Sequence, residues 1–216
     1  GTDAQDHYYF SNRDNFHSSP AIRLAGGKCL ELTGSTPHDI DMIDVYSCFP
    51  VAVQIACREL GFDMNRPLTV TGGLTFAGGP LNNYVMHSIA RMAQLLRDNP
   101  GKRGMITANG GYITKHAFGI YSTEAPERPF QHADLQDQVD ATLKRDVVIG
   151  HQGAGTVEGY RVMYGPEGAS KAFVAARLDD GRRAWGTSQD RDLLQSMTHE
   201  EFCGRQVNLA DHQATF

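Results

Sequence analysis

Residues Phe49 to Leu60 are apolar nearly all the way round a helix, with Val51, Ala52, Val53, Ile55, Ala56, Cys57 and Leu60 leaving little polar surface. A helix of that kind belongs in the middle of a domain, and Gly61 follows it at the C′ position, where a positive φ is needed. Its neighbours fix the class of fold. Asp39 to Tyr46, DIDMIDVY, alternates acidic with apolar residues and reads as a strand. Leu68 to Val70 reads as a short strand running into the glycine-rich TGGLTFAGGP. Beyond it Leu81, Tyr84, Val85, Ser88, Met92 and Leu95 recur at helical spacing, with Pro80 in a tolerated first-turn position and Asp98 to Gly101 as the stop. Met105 to Ala108 and Phe118 to Tyr121 read as two strands separated by the turn-rich NGGYITKH. Upstream, a loop-rich start gives way to SSPAIRLAGGKCLELTG, a helix with a Ser/Pro start and Gly34 as its end. Strand, buried helix, strand, helix, strand, strand is the order of a layered α/β domain with a mixed sheet.

The composition changes after Tyr121. EAPERPFQHADLQDQ is polar, carries Pro126 and Pro129, and has the makeup of a linker. Gly155 to Tyr164, Ala172 to Leu178 and Arg182 to Thr187 then read as strands joined by GPEG and DDG turns, followed by a short helix near Leu193 and a last strand, Arg205 to Leu209. The expected division is a layered α/β domain over 1–125 and a β-rich domain over 126–216, a small barrel of the OB type.

The remaining composition excludes several functions. With 216 residues, 40% hydrophobic and 21% charged, the chain is of the soluble globular class. No apolar run approaches the roughly 18 residues of a membrane span, and GTDAQDHYYF has neither a basic start nor an apolar core of a leader. A formal charge of -5 gives no broad basic field, so nucleic acid is not an expected partner. The four cysteines lack any CxxC pair and the nine histidines are scattered, so no disulfide framework and no metal site are expected. Reduced thiols point to a cytoplasmic protein.

The chemistry-bearing segments are three loops at element ends: YSCF after the first strand, AGGP before the long helix, and TANGG between the last two strands. Singly, YSCF is a strand-to-helix corner with Cys48 and Phe49 as core, and AGGP is neither GxGxxG nor a Walker loop. In order and spacing, however, DIDMIDVYSCFPVAVQIACRELG, LTVTGGLTFAGGPLNNYVMHSIARMAQLL and GMITANGG resemble the C-terminal half of thiolases over about residues 17 to 122. There the stretches read D-I-D-x-x-E-x-N-E-A-F, V-N-x-x-G-G-x-x-x-x-G-H-P and C-x-G-G-G. The β-rich tail resembles the additional C-terminal domain of type 1 thiolase-like proteins, commonly labelled acetyl-CoA acetyltransferases.

The resemblance implies a nucleophilic cysteine in an N-terminal half, in the same protein or a separate chain, with a histidine, a second cysteine and oxyanion donors at the site. Here Gly79 stands at the histidine position, Tyr46 and Ser47 at the Asn-Glu positions, and Thr107 or Asn109 at the second cysteine. An amide does not titrate usefully and an unassisted hydroxyl stays protonated. His116 could approach the vacated space, and Lys115 reads as a solvated charge. The implied pocket is lined by Tyr46, Gly78, Gly79, Thr107 and Gly110, with Asn109, His116 and Ser47 as candidate catalytic groups. CoA or acyl-CoA is the implied ligand, in lipid metabolism, with no further cofactor.

Three readings follow: an acyl-CoA binder with thiolase catalysis lost, an acyltransferase with a rearranged site, and an interaction module whose tail recruits a protein partner.

Overall fold

Thr2–Gln5 contains a single aliphatic side chain, yet it forms β1, an interior strand of the first sheet in the computed structural model, which describes residues 1–126 and 128–216. The segment expected to be irregular is therefore ordered by its partners, since β1 gains its ladders through residues 115–118 on one side and 133–134 on the other. The first of two units comprises residues 1–10 and 17–142, the second 11–16 and 143–216.

In the first unit the helix expected from the Ser/Pro start begins as a π-helix, Ile22–Gly26, and continues as α1 (Gly27–Leu32). The acidic-apolar alternation resolves into a 3₁₀ turn, Pro37–Asp39, and the short β2 (Met42–Asp44). The helix α2 (Pro50–Leu60) ends at Gly61 with φ of 73°, as its residue type requires. Its burial corrects the sequence reading: Ala52, Ile55, Ala56, Cys57 and Leu60 are buried, whereas Phe49 and Val51 are 62% and 44% exposed.

Leu68–Val70 is not a strand. Its backbone is satisfied instead at the end of β2, where Val45 N–H bonds to the Leu68 carbonyl and Asp44 accepts from Val70 N–H. One helical turn, α3 (Leu74–Ala77), precedes α4 (Tyr84–Asp98), so Pro80 lies before the helix rather than within its first turn. β3 (Arg103–Gly110) and β4 (Lys115–Ser122) follow as expected. The polar stretch read as a linker contains β5 (Ala133–Asp134) and α5 (Gln136–Asp140), anchored by buried Leu135 and Val139, four residues apart on one helical face.

The sheet order is β2-β3-β4-β1-β5, with β2 and β3 parallel, β4 antiparallel to both β3 and β1, and β5 parallel to β1. Met105 packs with the buried faces of α1 and α2, while Ile106 packs with Met92 and Leu96 of α4. Successive residues of one strand thus serve opposite layers, the mark of a sheet covered on both faces.

The second unit begins its strand-rich part with β6 (Val147–Val148), followed by β7 (Gly153–Gly165), β8 (Gly168–Arg177) and β9 (Arg183–Ser188). Then come α6 (Arg191–His199), β10 (Gln206–Ala210) and β11 (Gln213–Thr215). Its strand order is β11-β10-β7-β8-β9-β6, and β11 also pairs with β9 through Gln213 and Thr187. Asp190 caps α6 by accepting from Leu193 N–H at 2.9 Å, leaving Leu194 and Met197 to pack on the strands. Residues 11–16 are held inside this unit by Arg183, whose side chain is fully buried. It donates to the carbonyls of Ser11, Arg13 and Asp14, pairs with Glu158, and lies 4.3 Å from the centre of the Phe16 ring.

Candidate functional site

The end of β2 organises two of the three corners through Asp44. This fully buried carboxylate accepts from Tyr84 Oη at 2.9 Å, Ser88 Oγ at 2.6 Å, Thr69 Oγ1 at 2.8 Å and Val70 N–H at 2.9 Å. A buried charge of this kind is tolerated only when its lone pairs are filled by donors. The result is that the glycine-rich loop and the first two turns of α4 are tied to the strand end.

Ser47, expected from the sequence as a candidate catalytic group, makes a structural contact. Its Oγ accepts from Leu74 N–H at 3.1 Å at the start of α3. Gly73 beside it has φ of 79°, and a Cβ there would lie 2.7 Å from Ser47 Oγ, so any side chain would be strained and would have to displace the Ser47 hydroxyl. Gly78 and Gly79 sit in the exposed turn that follows α3.

The third corner is a cross-strand pair. Asn109 of β3 and His116 of β4 are directly opposite in register, as are Thr107 and Phe118 two residues along. Directly opposed residues share a face of the sheet. Thr107 Oγ1 accepts from Tyr46 N–H at 2.9 Å, and Asn109 Nδ2 donates weakly to Cys48 Sγ at 3.5 Å. The Tyr46 ring meets the Tyr84 ring edge-on at 5.3 Å.

Tyr46, Thr107, Asn109 and His116 line one small pocket with Ile22, Ala52, Ala56, Ala108 and Phe118. Its volume of about 10 Å³ is the space of roughly one water molecule. Of the residues singled out in the sequence, these four come together. Ser47, Gly78, Gly79 and Gly110 are not among its lining residues. Lys115 is exposed.

Two groups were not legible as site residues. Asp6, just beyond β1, has its carboxylate 3.4 Å from His116 Nε2, with both side chains 2% exposed. The pair is at charge-pairing distance without the alignment of a hydrogen bond. Ser19 Oγ donates to Asp6 Oδ2, Ala21 N–H donates to Oδ1 at 3.1 Å, and Ser19 Oγ in turn accepts from Ile22 N–H. Burial pushes the Asp6 carboxyl up, but His116, Ser19 and the Ala21 amide outweigh it and its pKa is lowered. The only foretaste in the sequence was Ser19-Pro20 as a helix start. Asp6 carried no local signal at all.

The pocket's polar equipment is therefore an amide, the Thr107 hydroxyl and an imidazole backed by a carboxylate. Asn109 Oδ1 is buried without a hydrogen-bond partner among the described residues. Burial raises the pKa of Cys48 and of Tyr46, so neither is an activated nucleophile. No group of three or more His, Cys, Asp or Glu able to hold a metal occurs among the described residues, and none of their helices is long and apolar enough to cross a membrane.

Residues 134–213 match the family model of the thiolase-like protein type 1 additional C-terminal domain. The chain aligns with the crystal structure of a monomeric SCP2-thiolase like protein type 1 from Mycobacterium smegmatis at a TM-score of 0.88 and 35% identity, covering 97% of this chain and 47% of that one. An acetyl-CoA acetyltransferase of Allochromatium vinosum is 26% identical over 83 residues, 38% of this chain and 21% of its own length. One from Methanothermobacter thermautotrophicus is 28% identical over 118 residues, 47% of this chain and 30% of its own length. The chain thus spans less than half the length of each relative it matches. The chain has a mixed α/β fold similar to that of the type 1 thiolase-like protein, its residues 134–213 match the additional C-terminal domain of that family, and parts of it are similar to acetyl-CoA acetyltransferases.

Proposed function

We propose that this chain contributes part of a CoA or acyl-CoA binding site in a thiolase-like protein that has lost ordinary thiolase catalysis. The observation that carries this reading is the convergence of Tyr46, Thr107, Asn109 and His116 on one pocket, while the positions that the resemblance assigns to a proton-carrying imidazole and thiol hold Gly79, which lies outside that pocket, and an amide or hydroxyl. Loss of one acid-base group costs a factor of about 100 to 10,000, and two are replaced. An N-terminal thiolase half is the natural partner, and the exposed Phe49 and Val51 at the start of α2 supply apolar surface for it. Lipid metabolism and a cytoplasmic location belong to the same reading.

The test is calorimetry of the full-length protein with CoA and acetyl-CoA. Heat of binding without formation of a condensed product is expected, and no heat for any CoA ester overturns the reading.

A second reading, an acyltransferase with a rearranged site, is favoured by the Asp6–His116 pair, because a carboxylate behind an imidazole is an arrangement that catalytic sites use. It requires turnover that falls by orders of magnitude in His116→Ala or Asn109→Ala, and unchanged rates reject it. For the tail, the ring β7-β8-β9-β11-β10 with α6 between its third and fourth strands supports the OB-type reading and a role in recruiting a protein partner.

A further inference from the structure

We infer that Asp6 is a positioning residue for His116: its carboxylate holds a proton on Nε2, leaving Nδ1 as the lone-pair nitrogen of a pocket-lining imidazole, so that His116 is a hydrogen-bond acceptor in the pocket. The inference rests on the proposed binding site only in treating the pocket as a place for a ligand.

A neutral imidazole has one N–H and one lone pair, and the neighbour of each nitrogen decides which is which. Asp6 is committed as an anion. Its two oxygens already receive the Ser19 hydroxyl and the Ala21 amide, and the Ser19 hydroxyl cannot turn away because its own oxygen accepts Ile22 N–H. A lone pair on Nε2 would lie 3.4 Å from this anion in a site where both side chains are 98% excluded from water, with little solvent to screen the repulsion. A proton on Nε2 removes that conflict. Carboxylates orient histidines in this way in both metal and proton-transfer sites.

The second group in the pocket has the same polarity. Asn109 Oδ1 is buried and without a hydrogen-bond partner among the described residues, while its Nδ2 is turned to Cys48. Thr107 Oγ1 accepts from the Tyr46 amide, which leaves its own proton as the pocket's hydroxyl donor beside these two acceptors. A site built for an oxyanion needs convergent donors. This one supplies an amide oxygen and an imidazole lone pair, which suit a small neutral O–H or N–H group: a water, a hydroxyl or the amide N–H of an extended thiol arm.

The tautomer is read directly by long-range proton–nitrogen NMR of the full chain labelled at histidine, at mildly alkaline pH without ligand. His116 is expected with Nε2 in the protonated range and Nδ1 in the lone-pair range. Asp6→Asn, whose amide can present either polarity, is expected to shift both resonances toward a mixture of tautomers. A protonated Nδ1 in the unaltered protein overturns the inference, and so do resonances unmoved by Asp6→Asn. Since the first measurement needs no variant, poor folding of Asp6→Asn leaves it decisive. It is also independent of ligand: a protein with the stated tautomer that gives no heat with CoA esters rejects the proposed function alone, and binding with the opposite tautomer rejects this inference alone.

Discussion

Tyr84 and Asp44, forty residues apart, meet through a 2.9 Å hydrogen bond between two side chains that are both completely buried. That bond links the first turn of α4 to the end of β2 and holds Tyr84 where its ring supports Tyr46 at the pocket. Tyr84→Phe removes the hydroxyl but keeps the ring. It is expected to cost about 1.5–3 kcal/mol, the range for a bond to a charged group. Asp44→Ala strands the Ser88 hydroxyl and the Val70 amide, each costing about 1–3 kcal/mol, and leaves the Tyr84 hydroxyl with Thr71 alone, so it should be the more damaging change. Urea titration with unchanged m-value checks both.

The Gly73–Ser47 contact makes a different demand. Gly73→Ala combines a positive φ with a Cβ 2.7 Å from Ser47 Oγ and is expected to destabilise by about 1–3 kcal/mol. Ser47→Ala loses the bond to Leu74 N–H, a change of about 1 kcal/mol. Because Ser47→Ala removes the clashing oxygen, the double variant should be less destabilised than the sum of the singles. Additive effects in a double-mutant cycle would show that the contact is not what strains a side chain there.

Asp6 makes stability depend on pH. Its folded-state pKa lies below the ordinary 3.8, so the carboxylate is stabilising above that value and its contribution is lost as pH falls through the folded pKa. Wild-type stability should therefore decline below about pH 5 more steeply than that of Asp6→Asn, with the two profiles converging at the acid end. Parallel profiles in chemical denaturation across that range would remove Asp6 from the account.

Arg183 should be the most sensitive charged residue of the second unit. Arg183→Ala leaves Glu158 without its ion-pair partner and takes one donor from each of three backbone carbonyls, of which that of Asp14 keeps Arg145, and is expected to cost about 3–5 kcal/mol. Limited proteolysis is the specific readout, because residues 11–16 should become the first point of cleavage.

How much of this was readable from the sequence depended on the distance over which each residue is satisfied. The helix α2 with its Gly61 stop, the strands β3 and β4, and the alternation of β7 to β9 were legible because their burial is encoded locally, in periodicity and turn residues. β1 was not: Thr2–Gln5 has too little apolar pattern to announce a strand, and its place depends on pairing with residues more than a hundred positions away. Leu68–Val70 misled in the opposite direction, since an apolar run with β-branched residues found its partners in the side chain of Asp44 rather than in a ladder. The same rule governs the pocket. Tyr46, Thr107, Asn109 and His116 lie at strand ends that local reasoning marks, whereas Asp6 and Ser19 act only through the fold that brings them to His116.

The assignment of residues 11–16 to the second unit has a practical meaning for anyone dissecting the protein. The backbone passes from one unit to the other three times, after Phe10, after Phe16 and after Thr142, so no single cut yields two complete pieces. A fragment starting at residue 143 would carry Arg183 with its carbonyl acceptors deleted. The tail is not an interchangeable cassette: grafting it onto another protein means transplanting the hexapeptide from Ser11 to Phe16 along with it.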